Sequence, residues 1–465
     1  MTETTSKKRQ VVSLEPHEET SKVPKLAINN SVAKCTPSDD VINEYSGYSL
    51  QKDVMATAID VVDPTNITSK QFFDQYIRQR KPCVLDGLPL GKDGQPLHVS
   101  RQLLEDLAGD KVIQVEKRFT LEENFGQNRT SKRQVQLKIR DLLKALLDTD
   151  DGDNELYYWS TQEDTDDPYN VPCRQLMDHG HIPPTISQAG NLILSSCNLW
   201  MGASKEGASS GLHHDYHDNF YLLLQGRKRF RLLSPDCAPK LHVYGTIERI
   251  HPNGRVSYIG NETRADGVPL KELNDENGND SGDDDEEEIV IGGGFDYVSD
   301  DDGSHDHVNV DAAGNEKDDF DEIMGLGHGR GENREDHEAN AQADDDDHPD
   351  SFSKINPCQA DQDALRKEFP EYASCRQVWV DLKAGQMLFL PAGWFHEVTS
   401  YSTKQDGSAH ENNVDNATLE RCHMALNYWY HPPDALQTTD YASPYECNFW
   451  RKEEEHRLKN PSSRS

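Results

Sequence analysis

Three residues carry the chemistry this chain could do. His213 and Asp215 lie two apart in SSGLHHDYHDNFYLLLQGRKRFRLLSP, and His396 stands far downstream in VDLKAGQMLFLPAGWFHEV. On extended backbone, side chains two apart project to the same side, so His213 and Asp215 can hold one metal while His214 points away. Two imidazoles and one carboxylate are the facial ligand set of non-haem Fe(II) oxygenases, and they leave open the positions that a redox cosubstrate and dioxygen need. The third ligand has to come from a non-adjacent strand; His396 follows the turn Pro391-Ala392-Gly393-Trp394 at the end of an apolar strand. His217 has no carboxylate at the same offset and is the weaker candidate.

A bare His-x-Asp arises by chance, and a histidine on an apolar strand is more often a core residue. The surroundings strengthen the case. After the apolar run 220–224 and a turn at Gln225-Gly226, the next strand alternates: Lys228, Phe230 and Leu232 point one way, Arg227, Arg229 and Arg231 the other. Three arginines make the worse core, so the lysine face is expected inside. A lysine inside a small barrel is costly to bury without an anion, and a bound dicarboxylate would supply one.

The elements that must position these residues are mostly strands. Order is expected from near Asp60. A helix starts at Thr68 or Ser69 and is stopped by Lys81-Pro82, and a short strand follows at 83–85. Residues 135–147 read as a second helix, 156–159 and 191–201 as strands. Strands follow from Gly211, and after Leu232 regular strands are expected again only at 378–382, 387–390, 395–398 and 424–430. The stretch YECNFWRKEEEHRLK reads as a short helix in a tail spanning 434–465, one that could support a homodimer.

Composition divides the chain further. From Glu272 to Asp350 there are 30 acidic residues against three basic ones (Lys317, Arg330, Arg334), a net −27 of the chain's −35, so the remainder carries −8. Dense like charge and low hydrophobicity make 272–350 a disordered insertion inside one domain, as residues 1–50 make a polar N-terminal arm. Neither part argues for contact with nucleic-acid phosphates. The nine cysteines form no CxxC pair, which argues against a zinc ribbon and for free thiols in a reducing compartment. No apolar run approaches the roughly 20 residues that span a bilayer. An intracellular protein, nuclear or cytoplasmic, with no membrane contact is expected.

In this order FFDQYIRQRKPCVLDG, LYYWSTQ, NLWMG, SGLHHDYHDNFYLLLQGRKRF, FSKINP, AGQMLFLPAGWFHEV and MALNYWYHPP resemble the JmjC-domain 2-oxoglutarate oxygenases. The nearest branch is that of the small cupin-like hydroxylases, which includes the HIF asparaginyl hydroxylase; the resemblance runs from about Phe72 to Pro433. It implies a mainly β fold with flanking helices, a double-stranded β-helix (jelly roll), with residues 51–180 as its N-terminal helix and strand part and 181–433 as the catalytic core. It implies Fe(II) on His213, Asp215 and His396, with 2-oxoglutarate and dioxygen as cosubstrates. Lys228 would pair with the distal carboxylate, helped by Tyr158 and by Ser210, where the family often has threonine; Tyr157 takes the place of Tyr158 if the register shifts by one. Asn219 and Asn427 would lie near the metal-bound end, and Trp429 would line the pocket, as would Trp200, Tyr221 and Trp394. The implied activity is hydroxylation of a side chain in a polypeptide, basic in view of the acidic insertion. Three alternatives stand beside it: a JmjC lysine or arginine demethylase, a cupin enzyme that does not use 2-oxoglutarate, and a non-catalytic cupin-fold binding protein.

Overall fold

The structure is a computed structural model that describes residues 41–53, 55–91, 94–121, 123–126, 133–148, 153–160, 167–270, 348–402, 421–436 and 441–459. They belong to one compact unit; a second, Asp296–Asp346, lies outside the described residues.

In chain order the strands are β1 (Ile42–Asn43), β2 (Asp60–Val62), β3 (Cys83–Leu85), β4 (Val112–Lys117), β5 (Gln134–Lys138), β6 (Tyr157–Ser160), β7 (Leu194–Gly202), β8 (Ala208–Ser209), β9 (His213–His214) and β10 (Asp218–Gln225). They continue with β11 (Arg227–Leu233), β12 (Ile247–Ile250), β13 (Val256–Tyr258), β14 (Val378–Lys383), β15 (Met387–Leu390), β16 (Phe395–Tyr401) and β17 (His423–Tyr430). One wall of the barrel runs β15-β10-β17-β7; the facing wall runs β14-β11-β16, with β8 and β9 both paired to β16. This is the jelly roll expected from the sequence. The first wall is extended by β3 and β2 on one side and by β6, β4 and β5 on the other.

The alternation read in β11 holds. Lys228, Phe230 and Leu232 are buried, while Arg227 is exposed and Arg229 and Arg231 are half-buried. Phe230 and Leu232 meet Tyr221 and Leu223 of β10, Val380 and Leu382 of β14, Leu388 and Leu390 of β15, and Ala425 of β17 between the walls. The unbroken apolar run in β10 has a different cause. Its outer face is also covered, by Phe72, whose ring lies 5.8 Å from that of Phe220 and 5.4 Å from that of Phe389. A strand buried on both faces loses its polar alternation.

Phe72 is placed by the helix expected near residue 69. Thr68 caps it, and Gln71 reaches back to complete a capping box. The helix Ser69–Phe72 continues as a π turn through Phe73–Ile77 and buries Phe72, Phe73, Tyr76 and Ile77. Beyond it Arg80 sits in the left-handed region, at φ 53°. Its guanidinium, with no exposed surface, makes a two-pronged pair with the equally buried Asp218, with Nη1 2.7 Å from Oδ2 and Nη2 on Oδ1. Asp218 Oδ1 also accepts the Ala392 amide at 2.9 Å, and Trp394 Nε1 donates to the Arg80 carbonyl at 3.1 Å. Trp394 is thus an anchor of this turn.

Four expectations are corrected. Residues 135–147 are not one helix: β5 pairs antiparallel with β4 before the helix Ile139–Asp148 begins, because the partner strand satisfies the backbone of the β-compatible stretch QVQLK. The polar arm expected over 1–50 gives way to packed chain at 41, where Tyr45 and Leu50 are buried and β1 pairs parallel with β12; residues 1–40 lie outside the described residues. The acidic insertion expected over 272–350 lies outside them from 271 to 347, but the last residues of that range are packed: His348 stacks on Tyr244 at 4.2 Å and the Gly245 amide donates to Asp350. Strands β12 and β13 fall where none was expected; the Asn253-Gly254 turn between Ile250 and Val256 was their sign. The tail is helical over Phe449–Lys459, pinned by buried Trp450, whose Nε1 donates to the Asp266 carbonyl at 3.0 Å.

Arg80→Met leaves the Asp218 carboxylate buried without its counter-charge. The expected loss is about 3–5 kcal/mol of unfolding free energy, measured by urea denaturation; a change below about 1 kcal/mol, the range of exposed pairs, would show that the pair does not support the fold.

Candidate active site

The loop from β9 to β10 and the strand β16 meet at the mouth of the barrel. His213 pairs in register with His396, and their rings lie 4.3 Å apart. Asp215 follows β9, and its Oδ2 is 3.8 Å from His396 Nε2. One ligand atom from each of the three lies within 4.8 Å of the others, and among the described residues this is the one cluster of histidine, cysteine or carboxylate side chains that could hold a metal.

The ring orientations are determined by backbone. His213 Nδ1 is 3.1 Å from the Gly211 carbonyl and His396 Nδ1 3.0 Å from that of Trp394. A carbonyl only accepts, so each ring carries its proton on Nδ1 and turns an Nε2 lone pair toward the cluster. Asp215 Oδ2 accepts from Asn219 Nδ2 at 3.1 Å, and Phe352 stacks on His213 at 4.6 Å, nearly parallel. Gly393, at φ 77°, lets the turn before His396 close on this loop. A Cβ there would stand 1.7 Å from the Gly254 carbonyl oxygen, while the Gly393 amide donates to the Asp215 carbonyl at 2.9 Å. His214 points away, its Nε2 2.7 Å from the Tyr258 hydroxyl. His217 stacks on Trp429 and stays out of the cluster.

Further in lies a second polar group. Lys228 is four residues along β11 from Leu232, the cross-strand partner of His396, or roughly 13 Å of strand. It is 1 % exposed, and no carboxylate pairs with it among the described residues. Its Nζ reaches the Tyr158 hydroxyl at 3.4 Å and lies over the Tyr158 and Tyr221 rings, at 5.6 and 5.4 Å from their centroids. Burial pulls the ammonium down to about 7. Tyr158 is the inward tyrosine; Tyr157 packs under Lys117 on the other side of β6. Tyr158 and Trp200 face inward and are half-buried, as residues lining a cavity are.

Several inward polar atoms have no partner among the described residues: Asn219 Oδ1, both side-chain atoms of Asn427, Trp200 Nε1 and His423 Nδ1. Buried polar groups are normally hydrogen-bonded, so this group of orphans marks a place built for a polar ligand. Asn219, Tyr221, Asn427 and Trp429 share the inward face of β10 and β17 by register. Ser210 differs from the rest. The Val398 amide donates to its hydroxyl at 3.1 Å and the hydroxyl donates to the Gly211 carbonyl at 3.0 Å, so it is engaged by backbone. Phe352 and His423 were not singled out in the sequence. Phe352 stands in FSKINP, and His423 is two residues before the inward Ala425, a period-2 signal that would have found it.

The cupin-like domain family matches residues 69–436. A protein of Schizosaccharomyces pombe, JmjC domain-containing protein 4, is 30% identical over 469 aligned positions that cover 88% of this chain and 92% of its own. The chain belongs to the cupin-like JmjC family. Members of this family are typically Fe(II)- and 2-oxoglutarate-dependent oxygenases. The JmjC donor set fits here on its chemistry: two imidazole nitrogens and a carboxylate gathered within 4.8 Å of one another, the two histidines buried, with Lys228 and orphaned polar atoms further in.

Other histidines of this JmjC chain affect stability. Burial holds His251 at about 4 and His431 well below its ordinary value, so both are neutral when folded and take up a proton on unfolding below about pH 6.5. The unfolded chain then binds more protons, and stability falls as pH drops from 6.5 toward 4. The urea midpoint is expected to fall between pH 7 and 5, and the slope to flatten in His251→Gln; an unchanged slope would remove His251 from this account.

Proposed function

We propose that this protein is an Fe(II)- and 2-oxoglutarate-dependent oxygenase that hydroxylates a side chain of a polypeptide. The observation that carries this reading is the pairing, inside one barrel, of the His213–Asp215–His396 cluster at the mouth with a buried Lys228 further in that no carboxylate of the described residues pairs. A ligand that chelates a metal at one end and carries an anionic group at the other satisfies both. Bound there, iron with 2-oxoglutarate and dioxygen supplies an oxidant that inserts oxygen into a C–H bond, with succinate and carbon dioxide as coproducts.

The chain's own residues would do the rest. His213 and His396 present Nε2 because Gly211 and Trp394 hold their Nδ1 protons. Asn219 orients the Asp215 carboxylate. Lys228 and the Tyr158 hydroxyl receive the distal carboxylate, while Asn427, Trp200 and Trp429 exclude bulk water from the cavity between. A polypeptide substrate is supported by the position of the cluster at the mouth and by residues 118–121 and 123–126 beside it. Gly126 abuts Phe352, and Phe119 and Leu121 stand more than half or half exposed, at 58% and 50%. The net charge of −35 favours a basic segment as partner.

Anaerobic addition of Fe(II) and then 2-oxoglutarate is expected to give the visible charge-transfer band of the chelated complex. His396→Ala should abolish it and Lys228→Ala should weaken it; iron bound without any band would defeat the proposal. With peptide substrates, succinate should form one for one with hydroxylated product, whereas formaldehyde release would favour the demethylase reading.

Because burial pulls Lys228 to about 7, the bound dicarboxylate should restore its proton. Binding measured calorimetrically at pH 8 in buffers of different ionisation enthalpy should show uptake of close to one proton, and affinity should fall by up to about tenfold per pH unit above 7. Release of protons, or no dependence on buffer, would be inconsistent with a neutral Lys228 in the free protein.

A further inference from the structure

The inward row of β17 runs Trp429, Asn427, Ala425, His423, and its last member lies at the lysine end of the cavity. By register His423 stands opposite Gly202 of β7, and Tyr158 of β6 stands opposite the same glycine from the other side. Gly202 makes this convergence possible. A Cβ built there would lie 2.8 Å from Tyr158 Cδ2 and 3.1 and 3.2 Å from Cε1 and Nε2 of His423. With no side chain in the way, the phenol and imidazole approach to 5.9 Å between ring centroids, and Lys228 Nζ joins them through its 3.4 Å contact with the Tyr158 hydroxyl.

An imidazole is a poor choice for this position if it only fills space. His423 is 1 % exposed, and its Nδ1 has no partner among the described residues. An aliphatic side chain would fill the same volume without desolvating a polar atom. Burial, and after it the charge of Lys228, keep the ring neutral. A neutral ring retains one N–H donor and adds no second positive charge. One ammonium with two neutral donors, phenol and imidazole, matches a single carboxylate: the charge balances, and three donors meet its two oxygens.

We propose that His423 is a further binding residue for the distal carboxylate of the dicarboxylate, donating a ring N–H to it beside Lys228 and Tyr158. The assignment rests on the oxygenase reading above and adds a third donor to the two already placed.

The test compares two ligands of the Fe(II)-loaded protein under anaerobic conditions. 2-Oxoglutarate reaches from the metal to the lysine end; oxalate chelates the metal and is too short to reach it. Dissociation constants are read by titration calorimetry, together with that of the metal alone. His423→Leu should weaken 2-oxoglutarate about tenfold to a hundredfold, the loss of a hydrogen bond to a charged group, and leave oxalate and the metal within about twofold. His423→Gln, which keeps an N–H donor, should recover most of the loss. Equal weakening of both ligands, or unchanged 2-oxoglutarate binding in His423→Leu, would overturn the assignment, as would failure of His423→Gln to bind better than His423→Leu. If the wild-type protein itself binds 2-oxoglutarate no more tightly than oxalate, the fault lies in the oxygenase reading, and the assignment falls with it.

Discussion

The buried ion pair between Arg80 and Asp218 holds the mouth of this barrel in place. Asp218 lies three residues after Asp215 and one before Asn219, which orients that carboxylate. The same Asp218 accepts the amide of Ala392, in the turn that launches His396, and Arg80 belongs to the N-terminal segment that covers the outside of β10. Three stretches remote in sequence are thus joined by one carboxylate whose charge is fully compensated. Burying two charges is costly in itself, and the pair is tolerable because its geometry is two-pronged and the remaining valences are filled by backbone. Arg80 adopts a left-handed backbone at that spot, which is the local cost of bringing the guanidinium to Asp218.

Inside that frame, polar groups are segregated. Metal-ligand candidates gather at the mouth and Lys228 sits further in, with Leu232, Phe230, Tyr221 and Val398 between them on the inward faces. A two-ended ligand would bridge these regions; a single small ion would not. The orphaned amides of Asn219 and Asn427 lie on the same faces, so the polarity of the interior follows the length of the cavity. The half-buried Tyr158 and Trp200 adjoin them, with their rings 6.0 Å apart.

Local patterns were legible wherever one physical requirement dominated. Alternation in RKRFRLL placed Lys228 inside, and the helix start read at Thr68 or Ser69 agrees with the Thr68 cap. Patterns failed where tertiary partners decided. QVQLK reads equally as the start of a helix until β4 lies beside it. Tyr45 and Leu50 look like stray apolar residues in a polar arm until their grooves exist. The hairpin around Asn253-Gly254 joins strands of only four and three residues, too short to display a period. Ser210 was expected beside Lys228 and Tyr158, but its hydroxyl accepts the Val398 amide of the neighbouring strand and donates to the Gly211 carbonyl.

By itself the sequence determined the chemistry on offer, which side chains could bind a metal and which lysine would face inward, because ligand spacing and period-2 alternation are properties of a single strand; the jelly roll that carries them was implied by the resemblance of its motifs to a family. Tertiary structure alone decided how those groups meet. The separation of Lys228 from the cluster, the tautomers imposed by the Gly211 and Trp394 carbonyls, and the convergence of His423 with Tyr158 over Gly202 all depend on pairing between strands far apart in the chain. Such pairing is set by packing across the barrel, and no local pattern encodes it.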